Sequence, residues 1–171
     1  YLTTGPEIFH QLDSKIDGFI CAIGTGGTIS GVSEYLKEKN KNIMIGLADP
    51  FGSSMYNFFK NGKLISNGNS ITEGIGQGRI TKNLENTVID ECFQVSDKEA
   101  LDIVFKMIES EGLILGGSSG INIVGAIKLG KRLGPNKKIV TILCDYGTKY
   151  ESKIFNKKFL KDKNLPVPKW L

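Results

Sequence analysis

Residues 21–31 read Cys21-Ala22-Ile23-Gly24-Thr25-Gly26-Gly27-Thr28-Ile29-Ser30-Gly31. The apolar run at 18–23 that leads into them predicts a short buried strand. Beyond the glycines, Ile29, Val32 and Leu36 recur near helical spacing, with Ser30, Glu34, Lys37 and Glu38 on the other faces. A helix is therefore expected from Thr28 to about Asn40. The residues between strand and helix are small, and Gly24, Gly26 and Gly27 lack a Cβ. Such a turn lets backbone approach a ligand closely and aims free N–H groups at it from a helix N-terminus. Thr25 and Thr28 add hydroxyl donors. This chemistry suits a phosphate, held without Lys or Arg from the loop itself.

Two other phosphate loops fail on residue identity. The dinucleotide fingerprint Gly-x-Gly-x-x-Gly needs its third glycine where Ile29 stands. A nucleotide loop started at Gly26 and Gly31 has Val32 in the lysine position, with nothing to reach β- and γ-phosphates. A lone phosphate monoester fits better than either. The plainer alternative is a strand–helix turn that uses glycine for packing alone.

At 171 residues the chain has room for one ordinary domain with a real core. Hydrophobic residues at 40% and charged residues at 23% are globular proportions and argue against disorder. The net charge of +4 is modest, and basic residues do not interleave with aromatics along a face, so nucleic acid is not an expected partner. No apolar run approaches the roughly 18 residues of a membrane helix, and no signal-peptide pattern opens the sequence. A cytoplasmic location without a membrane partner is expected. Cys21, Cys92 and Cys144, at unrelated spacing, read as small core hydrophobes in a reducing compartment, not as a disulfide frame or a metal site. His10 is the only histidine, which excludes most His-based triads, and its expected place is the surface of the first helix. The sequence opens at Tyr1, not Met, and enters a helix start almost at once, as expected of the middle of a longer protein.

In chain order, Pro6 suits a first helical turn, with Ile8, Phe9 and Leu12 as its apolar face. After the glycine loop and its helix, residues 43–48 predict a second strand closed by Asp49-Pro50. Strand, helix, strand at this spacing is a βαβ unit and implies a parallel sheet. Residues 51–71 read as irregular around one short helix, leading into Thr72-Glu73-Gly74-Ile75-Gly76-Gln77-Gly78-Arg79. Alternate glycines beside a Glu and an Arg suggest either backbone lining a site or a flexible connector. Short strand pieces are expected at Val88-Ile89 and at 92–95. Ser96-Asp97-Lys98-Glu99 is a capping box that opens a helix to about Ser110, burying Leu101, Val104, Phe105 and Ile108. A second unusual turn, Gly116-Gly117-Ser118-Ser119-Gly120, opens a helix to Leu133, ended by Gly134-Pro135. One of the two serines is expected to cap it. Residues 138–145 predict a long apolar strand. The lysine-rich tail at 151–171 reads as a solvated face.

Both glycine turns sit between a strand and a helix N-terminus, and in an open parallel sheet such turns gather where ligands bind. If the first grips phosphate, Ser118 and Ser119 face the same crevice. A Ser hydroxyl can hydrogen-bond a heteroaromatic nitrogen, and as a neutral partner at the positive end of a helix it disfavours protonation there. A phosphate plus a pyridine nitrogen describes pyridoxal 5'-phosphate.

At these residues the sequence resembles the C-terminal portion of cysteine synthases (O-acetylserine sulfhydrylases). It is similar, slightly less closely, to cystathionine β-synthases. Both are tryptophan synthase β-like pyridoxal-phosphate enzymes. The matching text is Thr3-Thr4-Gly5-Pro6-Glu7-Ile8, Gly24-Thr25-Gly26-Gly27-Thr28, Glu73-Gly74-Ile75-Gly76, Glu111-Gly112-Leu113 with Gly116-Gly117-Ser118-Ser119-Gly120, and the final strand. The resemblance runs nearly end to end. It implies an α/β fold of type II, an open parallel sheet with flanking helices, incomplete without an N-terminal half. It further implies that Gly24, Thr25, Gly26, Gly27 and Thr28 bind the cofactor phosphate. Ser118 faces the pyridine nitrogen, and Glu73, Gly74, Ile75 and Gly76 border the substrate. Asp145-Tyr146-Gly147-Thr148-Lys149-Tyr150 departs from the Ser-containing turn common in the family.

By the same resemblance, residues 1–171 are the C-terminal part of the enzyme, mainly its larger cofactor-binding domain. No catalytic residue is expected within them, because the family's Schiff-base lysine lies upstream. The complete enzyme is expected to replace the acetate of O-acetylserine with sulfide, giving cysteine. The alternatives are condensation of serine with homocysteine, or a non-catalytic remnant that binds phosphate or a partner. Expected partners are the missing N-terminal half, a second copy in a homodimer, and serine acetyltransferase. Without that half, apolar side chains at 18–23 or 139–143, or from their flanking helices, are expected to lie exposed.

Overall fold

A computed structural model describes residues 1–171, and every strand in its sheet is parallel. The sheet contains β1 (Gly18–Cys21), β2 (Met44–Pro50), β3 (Glu91–Val95) and β4 (Ile139–Val140), in the spatial order β3-β2-β1-β4. The chain builds outward from β1 to β2 and β3, then returns to place β4 on the other side of β1. That reversal creates a topological switch point between β1 and β4, where the crevice of an open α/β sheet forms.

Side-chain alternation along the strands feeds two cores. Phe19 and Cys21 face one side, with Ile29, Val32 and Leu36 of α2 (Gly27–Lys39). Ile20 and Ala48 face the other, with Ile121, Val124 and Leu129 of α5 (Gly117–Leu133). Helix α5 comes so close that a Cβ on Gly125 would stand 2.5 Å from the Ala48 Cβ. Helix α1 (Thr4–Gln11) packs on α2, and the short α3 (Met55–Asn61) lies by β2 and β3. Helix α4 (Asp97–Glu111) backs onto α5. Its Leu101, Val104 and Phe105 form a third cluster with Ile154 and with Leu160 of α6 (Lys157–Asp162). The lysine-rich tail is thus anchored by its apolar residues, while its lysines stay outside.

The expected parallel sheet with flanking helices is present, with one βαβ unit running from β1 through α2 to β2. The capping box is complete, since the Ser96 hydroxyl accepts from the Glu99 N–H and Glu99 accepts from the Ser96 N–H. Three expectations need correction, and a fourth, of exposed apolar side chains, holds at Leu143 and at Ile127 of α5 but not in β1. Strand β2 does not stop before Asp49-Pro50, which pair with Gln94 and Val95. Val88-Ile89 is not a strand, because pairing with β2 begins only at Glu91. The predicted strand over 138–145 is a ladder only at Ile139 and Val140. Beyond them the segment is tied to the sheet by side chains: the Thr141 hydroxyl donates to the Ile20 carbonyl at 2.6 Å, and Asn122 Nδ2 donates to the Ile142 carbonyl at 2.8 Å. Finally, β1 is sealed on both faces, so the expected exposure is absent there. Leu143 is exposed, while Ile139 and Val140 are half-buried. No helix is long and apolar enough to cross a membrane.

Candidate functional site

Residues 22–29 leave the C-terminal end of β1 and enter α2. Gly26 takes a left-handed conformation (φ +85°) at the helix N-cap, which its missing Cβ permits. The N–H groups of residues 24–29 donate to no acceptor in the protein, because helical bonding begins only with Ser30 donating to Gly26. The hydroxyls of Thr25 and Thr28 have no protein partner either, leaving a run of unspent donors at the positive end of a 13-residue helix. The loop is braced from behind. The Thr81 hydroxyl and Asn83 Nδ2 both donate to the Thr25 carbonyl, at 2.8 and 3.1 Å.

The loop at 73–76 lies against it. A Cβ on Gly24 would stand 2.7 Å from the Gly74 carbonyl oxygen, so the two turns touch through bare backbone. The Gly76 N–H donates to the Ile23 carbonyl at 3.2 Å, which fixes their register. Glu73 is exposed and ion-pairs with Lys153 of the C-terminal segment. Gly78 and Arg79, read with this motif, stay outside the cleft lining.

The second glycine turn brings Ser118 to the same place. Ser118 is 6% exposed, and its hydroxyl makes no hydrogen bond in the protein. Neither serine caps α5. Gly116 holds the cap position, and Ser119 instead accepts from the Cys144 N–H at 2.9 Å. Gly24, Thr25, Gly26, Thr28, Glu73, Gly74, Ile75 and Ser118 all line one cleft of about 290 Å³. Of the ten expected site residues, only Gly27 and Gly76 are outside its lining.

Five lining residues were not among the expected ten: Ala22 and Ile29, which flank the first turn, and Cys144, Asp145 and Tyr150 from the C-terminal segment. Asp145 accepts from the Tyr150 hydroxyl at 2.8 Å through Oδ2, which pushes the phenol pKa up to about 12. Its Oδ1 is buried without a partner, in space that a Cβ on Gly116 would fill. The signal for Asp145 was its place directly after the apolar run that begins in β4. Cys144 is exposed, contrary to the expectation that all three cysteines sit in the core. The chain leaves the sheet after Val140, so the last residues of that run face the cleft. Cys21 and Cys92 do pack in, and burial raises both thiols, Cys92 to about 12.

The donor set fits an anion at the first turn and a neutral acceptor at Ser118. No Lys, Arg or His lines the cleft, so an anion there is held by backbone and hydroxyl donors. The family model described as "Pyridoxal-phosphate dependent enzyme" matches residues 1–145, which carry both turns. The chain belongs to that family. Among its relatives, cysteine synthase 1 of Neurospora crassa is 46% identical over 168 residues, covering 95% of this chain and 45% of that protein. The cysteine synthase of Dictyostelium discoideum is 40% identical over 177 residues, covering 98% and 47%. The crystal structure of an O-acetylserine dependent cystathionine beta-synthase from Helicobacter pylori superposes with a TM-score of 0.77 at 35% identity. That match covers 87% of this chain and 46% of the other. The chain spans about half the length of the curated relatives it matches.

Proposed function

We propose that residues 1–171 form the phosphate- and ring-binding part of a pyridoxal-phosphate enzyme of the cysteine synthase type. The reaction is replacement of the acetate of O-acetylserine by sulfide. The observation that carries this reading is the run of unspent N–H donors at 24–29, in a turn whose Gly24, Thr25, Gly26 and Thr28 line the same cleft as the unpartnered Ser118. When bound, pyridoxal phosphate supplies the electron sink that loosens bonds at the α- and β-carbons of an amino acid.

The chain's own residues would divide the work in three. Residues 24–28 hold the phosphate with backbone N–H groups and the Thr25 and Thr28 hydroxyls, stabilised by the α2 dipole. Ser118 donates to the pyridine nitrogen and, being neutral, leaves that nitrogen unprotonated. Glu73, Gly74, Ile75 and Gly76 form the substrate-side wall, tied to the phosphate turn through Gly24 and Ile23.

No lysine lines the cleft, so the amine that takes the α-proton must come from outside these residues. The complete enzyme under this reading is a homodimer, with the serine acetyltransferase tail as a docking partner. A second reading, homocysteine as acceptor, is favoured by the likeness to the cystathionine beta-synthase from Helicobacter pylori. The test uses protein that includes an upstream half, supplied with pyridoxal phosphate, O-acetylserine and either sulfide or homocysteine. Cysteine is the expected product. Residues 1–171 alone should yield none at an enzymic rate, and turnover by them alone would overturn the reading.

A further inference from the structure

Cys144 is an exposed residue in the wall of a cleft built for something else, and its thiol donates to the Ile142 carbonyl at 3.9 Å. Its position is fixed on two sides: the Cys144 N–H donates to Ser119 Oγ at 2.9 Å, and Asn122 Nδ2 approaches Sγ at 3.3 Å. Asn122 is itself buried and anchored, accepting from the Ala22 N–H at 2.7 Å. The sulfur therefore stays at the cleft wall. That this wall faces a ligand is argued independently by Ser118, whose side chain is more than nine-tenths buried, unpartnered, and lines the same cleft.

We propose that Cys144 is a reversible S-thiolation site, and that a disulfide-linked group on it and a cofactor in the cleft exclude each other. This rests on the cofactor reading above. In the reaction, Cys144 loses its proton to solvent and its thiolate attacks one sulfur of a low-molecular-weight disulfide. A new S–S bond forms to Sγ, the old S–S bond breaks, and one thiolate leaves. Cys144 is oxidised and the leaving half is reduced, so no further oxidant enters. Reaction with a free thiol runs the step backwards. A tripeptide on Cys144 would intrude on a cleft of about 290 Å³ between Ser118 and Gly24. Selectivity follows from position, since Cys21 is buried and Cys92 is half-buried beneath α3.

The test takes the full-length protein, freed of cofactor with hydroxylamine, and exposes it to glutathione disulfide. Peptide mass spectrometry then follows Cys144, Cys21 and Cys92. Cys144 should gain glutathione first among these three. Pyridoxal phosphate at ten times its Kd leaves about a tenth of the clefts open and should slow the reaction about tenfold. In the converse arm, glutathionylated protein should lose the cofactor's absorbance change, and dithiothreitol should restore it. Unmodified protein that shows no cofactor absorbance change sinks the cofactor reading and the exclusion with it. Protein that binds cofactor yet thiolates Cys144 at the same rate with or without it overturns this inference alone. Cofactor binding undiminished by thiolation does the same.

Discussion

Replacing Gly26 with valine tests the phosphate turn where its backbone geometry is least forgiving. Gly26 has φ +85°, and a Cβ there would stand 2.6 and 2.7 Å from Cγ and Cδ2 of Leu84. A β-branched residue held left-handed costs on the order of 1–3 kcal/mol. Overpacking against the buried Leu84 adds about 1–3 kcal/mol. Leu84 cannot yield freely, because its neighbour Asn83 holds the Thr25 carbonyl. The turn will therefore rotate, displacing the unspent N–H groups of residues 24–29. A hydrogen bond to a charged group is worth about 1.5–3 kcal/mol, so losing one weakens binding roughly 10- to 100-fold. Gly27→Ala is the control. Its Cβ would meet Asn83 Nδ2 and Thr25 Oγ1 at the ordinary distances of 3.7 and 3.8 Å, and alanine suits a helix better than glycine. The assay titrates pyridoxal phosphate into cofactor-free full-length variants by absorbance, with thermal denaturation alongside. Wild-type affinity in Gly26→Val, or equal losses in Gly26→Val and Gly27→Ala, would refute the cradle.

Ser118→Asp should draw a proton onto the pyridine nitrogen, shift the cofactor's visible absorbance and slow elimination; unchanged spectra and rates would remove Ser118 from the ring. A separate prediction concerns Asp49, whose Oδ1 is buried without a partner and whose pKa burial raises to about 6 from 3.8. Because the folded value is the higher one, the native state holds the extra proton between about pH 4 and 6. Stability should fall as pH rises through that window, by up to roughly 3 kcal/mol, and then level off. Asp49→Asn should flatten the dependence of Tm on pH from 4 to 7, and parallel Tm curves would show that Asp49 does not carry it.

What was legible in the sequence was local. The Ser96 capping box needs only residues three apart, and it formed as read. The two glycine turns announce themselves because free N–H groups and missing Cβ atoms are properties of a few consecutive residues. The length of β4 was not legible, because an apolar run does not say whether a partner strand lies beside it. Here Thr141 and Asn122 take the place of a ladder after Val140. The same departure turns Cys144 out of the core and Asp145 into the cleft. Ser118 and Ser119 were both plausible caps by composition, but Ser119 was claimed by Cys144, 25 residues away.

Asn122 shows how the fold turns two separate turns into one site. It is buried in α5, accepts from Ala22 at the end of β1, and donates to Ile142 in the segment beyond β4. Those contacts lie on either side of the switch point, so Asn122, with the Thr141 hydroxyl on the Ile20 carbonyl, holds β1 to its neighbour. Ser118 precedes Asn122 by four residues and lies on the same face of α5. Whatever fixes Asn122 between the two strands therefore fixes where the Ser118 hydroxyl points relative to Gly24, which follows Ala22 by two residues. The first glycine turn and Ser118 are thus positioned through one hydrogen-bonded hub. It is an amide with no chemistry of its own, and nothing in its sequence neighbourhood marks it.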